Sequence, residues 1–269
     1  RETLDTDIKS LKKAARQGIG EELKKRVKSI INDKGIVLNQ SYKISWKNNP
    51  IAKIKKGKNY LSPEIEVIAD EALDTKTKED LFIFLNNWLE SYVSEELSDL
   101  INLIKLENKN QYIRALAFRL YEGNGVLKRN EVEEIINKII KEDRKQFRSL
   151  GIKIGRYHVF LPKMLKPKAV ELRILLWEFF NELAKNNEIP KSGLNFLSDE
   201  KKQFNSRFLL LCGFERFRNF YVRVDILEKL FIKIIEKSKN GKFQIDSDMM
   251  NLLGCTKENF FQLMDLMNY

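Results

Sequence analysis

Apolar residues along the chain recur first at helical spacing, then alternate, then return to helical spacing. Leu4, Ile8, Leu11 and Ala15 lie about one turn apart, as do Leu23, Val27, Ile30 and Ile31. That pattern predicts one helix or two over residues 4–31, with Gly18 and Gly20 as the break. Beyond residue 36 the period shortens. Tyr42, Ile44 and Trp46 alternate with polar residues, Asn48-Asn49-Pro50 marks a turn, and Ile51–Ile54 resumes an extended run. Gly57-Lys-Asn marks a second turn before Ile65-Glu-Val67-Ile68. A small antiparallel meander near residues 36–69 follows, and it needs helices to cover its apolar face.

From residue 75 the helical period returns. Leu81, Phe84, Leu85, Trp88, Leu89 and Val93 form one stripe. Residues 112–121 predict a further helix closed by Gly123-Asn-Gly125. Asn130 with Glu133 has the spacing of a capping box ahead of Val132, Ile135, Ile136, Ile139 and Ile140. A short helix over 143–150 ends at Gly151, placed as a C′ residue. Residues 152–162 lose the helical period and predict two extended pieces around a turn at Gly155. Lys166-Pro167 fits a helix start, and residues 170–183 are apolar nearly all round, which predicts a central helix. A polar loop spans 186–199, residues 204–214 have no clear period, and 224–235 are helical. Two short helices around Leu253-Gly-Cys-Thr256 resemble a helix-turn-helix. The expected fold is mainly α: a multi-helix bundle with the small meander and a helix-turn-helix-like tail. Its expected parts are an N-terminal helical connector (1–34), a helical accessory domain with the sheet (35–186) and a C-terminal helical subdomain (187–269).

Of 269 residues, 43% are apolar and 32% charged, enough for a core and too apolar for intrinsic disorder. No apolar run reaches the roughly 18 residues of a membrane span, and no secretory leader opens the chain. A soluble cytoplasmic protein is expected, and the missing initiator Met suggests a trimmed piece. Two cysteines, Cys212 and Cys255, are too few for a disulfide framework or zinc site, and the lone histidine, His158, excludes a multi-histidine metal centre.

Charge sharpens the picture. Lys plus Arg is 49 against 38 acids, a net of +11. That balance fits either a polyanion partner or an ordinary solvated surface. Its distribution favours the partner. Residues 62–100 hold 11 acids and two bases, residues 141–173 hold 10 bases and three acids, and residues 1–28 hold nine bases and five acids. Within the basic segment Arg144, Lys145 and Arg148 share a helix face. Lys153 and Arg156 follow in a turn beside Tyr157 and His158. Lys163, Lys166 and Lys168 cluster at a helix start, where free N–H groups also favour phosphate. Such cations neutralise phosphates without reading bases, and Tyr157 has the ring to stack on an unpaired base. Core packing is the alternative for Tyr157 and His158. In the tail, Lys257, Asn259 and Gln262 suit a major groove, but Phe260, Leu263, Met264 and Met267 on the same helix favour packing. Neither G-x-x-x-x-G-K-[ST], G-x-G-x-x-G nor G-x-S-x-G occurs, and no carboxylate pair stands out, so no catalytic residue is assigned.

The stretch Ser149-Leu-Gly-Ile-Lys-Ile-Gly-Arg-Tyr-His-Val-Phe-Leu-Pro-Lys-Met-Leu-Lys-Pro167, with Ala169–Trp177 after it, resembles the C-terminal region of superfamily 2 RNA helicases of mitochondrial-degradosome type, especially their alphaproteobacterial relatives. Met164 stands where that family's signature has the first of two leucines. Ile44–Ile54 and Leu253–Glu258 resemble flanking elements of the same region. The resemblance implies an accessory region that braces the motor and contacts RNA or single-stranded nucleic acid. Its partners would be helicase core domains and, by extension, a nuclease, with no membrane. ATP and Mg are implied for the parent helicase, and no cofactor for this chain. A protein-interaction module and a helix-turn-helix DNA-binding protein are the alternatives.

Overall fold

The computed structural model describes residues 2–69, 71–106, 110–185, 187–238 and 241–269. Arg1, Asp70, Asn186 and the side chains of residues 2–8, Leu4 and Ile8 among them, lie outside that description. Helix accounts for 53% of the chain, with eleven α-helices and three small antiparallel sheets among the described residues. The expected meander is one of the sheets. The other two make the architecture mixed α/β and not purely helical. No helix among the described residues is long and apolar enough to cross a membrane. Two compact units divide the chain: residues 1–95 with 175–183, and residues 96–174 with 184–269.

In the first unit, α1 (Glu2–Asn32) runs unbroken through both glycines expected to interrupt it. Each costs about 1 kcal/mol of helix propensity relative to alanine, too little to end so long a helix. Of its described side chains only Val27 and Ile30 are buried, so tertiary packing holds its C-terminal end alone. Strands β1 (Ile36–Leu38), β2 (Lys43–Trp46), β3 (Asn49–Lys55) and β4 (Glu64–Val67) pair in sequence order as an antiparallel meander. The β2–β3 turn falls on Lys47 and Asn48, both at positive φ, so β3 starts before Pro50 and not after it. At Gly57 a Cβ would sit 1.8 Å from the Ser62 carbonyl oxygen, so the expected turn there needs glycine. Ile44, Trp46, Ala52, Ile54 and Ile65 bury one face. On α2 (Thr75–Glu96) the buried residues are Leu81, Leu85, Leu89 and Val93, the centre of the expected stripe. The Trp46 indole N–H donates to Asp33 Oδ2 at 2.9 Å, which ties the end of α1 to the meander.

In the second unit, α3 (Ser98–Asn102) and α4 (Gln111–Glu122) precede β5 (Val126–Lys128). A 3-10 turn over Arg129–Val132 and the four-residue α5 (Glu133–Ile136) stand where a longer capped helix was expected. The capping box does not form, because the Glu133 carboxylate turns to Arg129 (3.0 Å) instead. Next come α6 (Lys141–Ser149), β6 (Lys153–Ile154) and β7 (His158–Phe160), with β7 between β5 and β6 in one sheet. After α7 (Pro167–Phe180), with proline at its first position as expected, β8 (Phe196–Ser198) lies within the anticipated loop. Helix α8 (Ser206–Leu211) and the hairpin β9 (Phe214–Phe217) and β10 (Phe220–Arg223) complete the third sheet, in the order β8-β10-β9. The unit boundaries fall inside α2 and α7.

The chain ends in α9 (Val224–Lys237), α10 (Ser247–Leu253) and α11 (Lys257–Leu266). Gly254 at φ 66° closes α10, and the Thr256 hydroxyl caps α11 by accepting from Asn259 N at 3.3 Å. Phe260, Leu263, Met264 and Met267 pack with Leu227, Leu230 and Met249 in one apolar cluster. The tail is therefore part of the core of its unit. Burial on this scale stabilises by about 1.5–3 kcal/mol per large side chain, more than any contact Lys257 makes at the surface.

Candidate nucleic-acid interface

The β6–β7 turn is held from two sides. Glu228 on α9 is 2% exposed, and its two carboxylate oxygens accept the backbone N–H groups of Arg156 (2.8 Å) and Tyr157 (2.9 Å). A buried carboxylate needs such donors, and a turn tip needs acceptors for its free N–H groups. Gly155 makes the approach possible, since a Cβ there would lie 2.2 Å from the Glu228 carboxyl carbon. On the other side the Arg129 guanidinium donates to the Gly155 carbonyl (2.9 Å), and Arg129 N donates to the Tyr157 carbonyl (2.9 Å). The turn presents Arg156, which is exposed and has no ion pair among the described residues.

Beneath the turn, His158 is buried, with Nε2 2.8 Å from Glu215 Oε2, and Lys128 Nζ donates to Glu215 Oε1 at 2.8 Å. Burial alone would raise the Glu215 carboxyl, but the hydrogen bonds from His158 and Lys128 outweigh it and hold the group below the usual carboxylate range. An ionised carboxylate only accepts, so His158 Nε2 carries the proton. His158 therefore joins β7 to β9 and is not among the surface cations. Tyr157 is half-buried. Its ring meets Phe231 edge-on at 6.0 Å, and its hydroxyl lies 3.3 Å from that of Tyr269. Burial pushes that hydroxyl well above the ordinary tyrosine range.

The remaining residues of the basic segment divide into two groups. Arg144, Lys145, Arg148, Lys166 and Lys168 are exposed and have no ion pair among the described residues. Lys163 is neutralised by Asp99 at 3.0 Å, and Lys153 lies half-buried with its ammonium 5.7 Å from the Phe160 ring centre. Arg173, counted in the segment's charge, is fully buried and donates to the carbonyls of Met164 (3.0 Å), Asn124 (2.8 Å) and Leu211 (2.5 Å). It is a structural cation.

Two cavities gather the exposed arginines. One, of about 550 Å³, is lined by Lys128, Arg129, Arg156, Tyr157, His158 and the end of α11. The other, of about 220 Å³, is lined by Arg129, Arg144 and Arg148 around Ile136, Ile139, Phe147, Ile152 and Ile154. Arg129 lines both, so they adjoin. Their carboxylates, Glu133 and Glu215, are engaged by Arg129 and Lys128, which leaves Arg144, Arg148 and Arg156 uncompensated. Arg129, Glu215 and Glu228 were not legible as site residues in the sequence. Arg129 lay outside the basic segment, and a carboxylate that serves cations from beneath has no local motif.

No protein-family model, no curated protein and no solved structure matches this chain.

Proposed function

We propose that the second unit binds a single-stranded nucleic acid through its phosphates, as an accessory region of an ATP-dependent RNA helicase. The observation that carries the reading is the convergence of Arg144, Arg148 and Arg156, all free of carboxylate partners, on two adjoining cavities that share Arg129. Guanidinium groups suit phosphate because their planar fork matches two oxygens at once. The apolar floor of the smaller cavity, Ile136, Ile152 and Phe147 beside two arginines, suits an unstacked base. The likeness of residues 149–167 to the helicase signature supports RNA as the strand and helicase cores as the partner. ATP and Mg would belong to those cores.

The test is fluorescence anisotropy with single-stranded RNA from roughly 50 to 200 mM salt, comparing the chain with an Arg144→Glu, Arg148→Glu, Arg156→Glu variant. Loss of three phosphate contacts lowers the salt slope by about 2, which removes about 20-fold of the salt sensitivity across that range. Unchanged affinity and slope would end this reading.

A further inference from the structure

A second set of cations without an ion pair among the described residues lies in the other unit. On α1, Lys9, Lys12, Lys13 and Arg16 are exposed, and with Gln17 and Gly20 they line one open groove of about 870 Å³ closed by Ala72 and Asp74. Spacing explains the shared face, since residues three, four and seven apart lie on one side of a helix. Gly20 keeps the floor narrow, because a Cβ there would meet the Ala72 carbonyl oxygen at 3.3 Å.

Among the described residues two carboxylates border this groove, and both are engaged. Glu21 and Asp74 each lie 3.4 Å from Lys24 Nζ. Asp74 is further held by Thr77, whose backbone N–H (3.0 Å) and hydroxyl (2.9 Å) donate to it. The carboxylates are thus drawn toward Lys24, and Lys9, Lys12, Lys13 and Arg16 have no ion pair among the described residues. Among the described residues no aromatic ring and no large apolar side chain lines the groove. It offers nothing on which to stack a base or seat an apolar peptide side chain. What it offers is a row of positive charge in which Lys9 and Arg16 lie seven residues, roughly 10 Å, apart along the helix axis with Lys12 and Lys13 between them.

We propose that this face of α1 is a second binding surface for the ribose-phosphate backbone, indifferent to base identity. It shares its ligand class with the function proposed above, but none of its residues. Each surface can therefore fail alone. The alternative partner, an acidic protein segment, becomes an outcome of the test.

The experiment uses the full chain and four forms: unchanged; Lys9→Gln, Lys12→Gln, Lys13→Gln, Arg16→Gln; the triple glutamate variant described above; and both sets together. Binding of single-stranded RNA oligonucleotides of two unrelated sequences is measured by anisotropy across roughly 50 to 200 mM salt, with polyglutamate as a second probe. Circular dichroism monitors the helix. The α1 variant should lower the salt slope by about 3, equivalent to about 50-fold of salt sensitivity over that range, equally for both sequences. The decrement should persist in the background of the triple variant, and a Lys→Arg version at positions 9, 12 and 13 should restore it. An α1 variant that binds RNA as well as the unchanged chain overturns this inference, while a fall in the triple variant alone leaves the first reading standing. Affinity for polyglutamate that depends on these residues, with RNA binding unaffected, would assign the face to an acidic protein and also overturn it.

Discussion

The cations of α1 and those around the β6–β7 turn carry the same sign of charge on different supports. Lys9, Lys12, Lys13 and Arg16 project from a helix whose only buried described side chains are Val27 and Ile30. Arg156 projects from a turn whose backbone is fixed by the buried Glu228 and by Arg129. The difference teaches that two basic segments of similar composition differ in what mutation will cost them. The first can lose charge with little loss of stability. The second depends on the buried Glu228 and the largely buried Glu215, which hold its turn and its sheet together.

The most severe break in this comparison should come from Arg173→Met. Three buried carbonyls lose a charged donor, and charge-assisted hydrogen bonds contribute about 1.5–3 kcal/mol each, so chemical denaturation should show a loss of about 4 kcal/mol or more. Where the variant remains folded at low temperature, its RNA salt slope should match that of the unchanged chain, in contrast with the Arg148→Met variant, which should lose slope and keep its stability. Glu228→Ala comes next. Two turn N–H groups are left without acceptors, a cost of about 1–3 kcal/mol each, and RNA affinity should fall with stability because Arg156 loses its support. Urea unfolding and anisotropy on the same samples would show whether the two losses travel together.

Acid provides a finer test. Glu215 is depressed in the folded chain, so its contribution is present above the ordinary carboxylate range near pH 4.3 and is lost as pH falls through the lower folded value. Unfolding free energies measured from pH 7 down to pH 3 should fall along this limb, and Glu215→Gln should start lower and run flatter. The smallest effect on binding is expected at Lys163. Its ammonium is already paired with the buried Asp99, so Lys163→Gln should leave the salt slope unchanged, while the weakened contact to that carboxylate lowers stability by about 1–3 kcal/mol.

Elements with a sustained period were legible in the sequence. The Leu81–Val93 stripe, the proline at the start of α7 and the glycine stop between α10 and α11 each rest on local chemistry that the fold keeps. The three-residue strands β5 and β8 were not, because they are shorter than two alternations and acquire their identity from partners far along the chain. The β9–β10 hairpin turns at Arg218 and Asn219 with no glycine, so its signal was faint despite alternation on both sides. In the site, charge density was legible and charge fate was not. Nothing local distinguishes Arg173, which is buried, from Arg148, which is free, or marks Lys163 as the partner of a residue 64 positions earlier.

A helix of 31 residues is about 46 Å long, and the contacts of α1 with the rest of its unit run from Gly20 and Lys24, beside Ala72 and Asp74, to the buried Val27 and Ile30. Amide hydrogen exchange should therefore be graded along it, slow near Val27 and Ile30 and progressively faster toward Lys9. Opening of that outer portion requires no unfolding of the meander. A polyanion lying across Lys9 to Arg16 would slow exchange in the outer turns selectively, so protection there is a readout of occupancy that needs no label on the ligand.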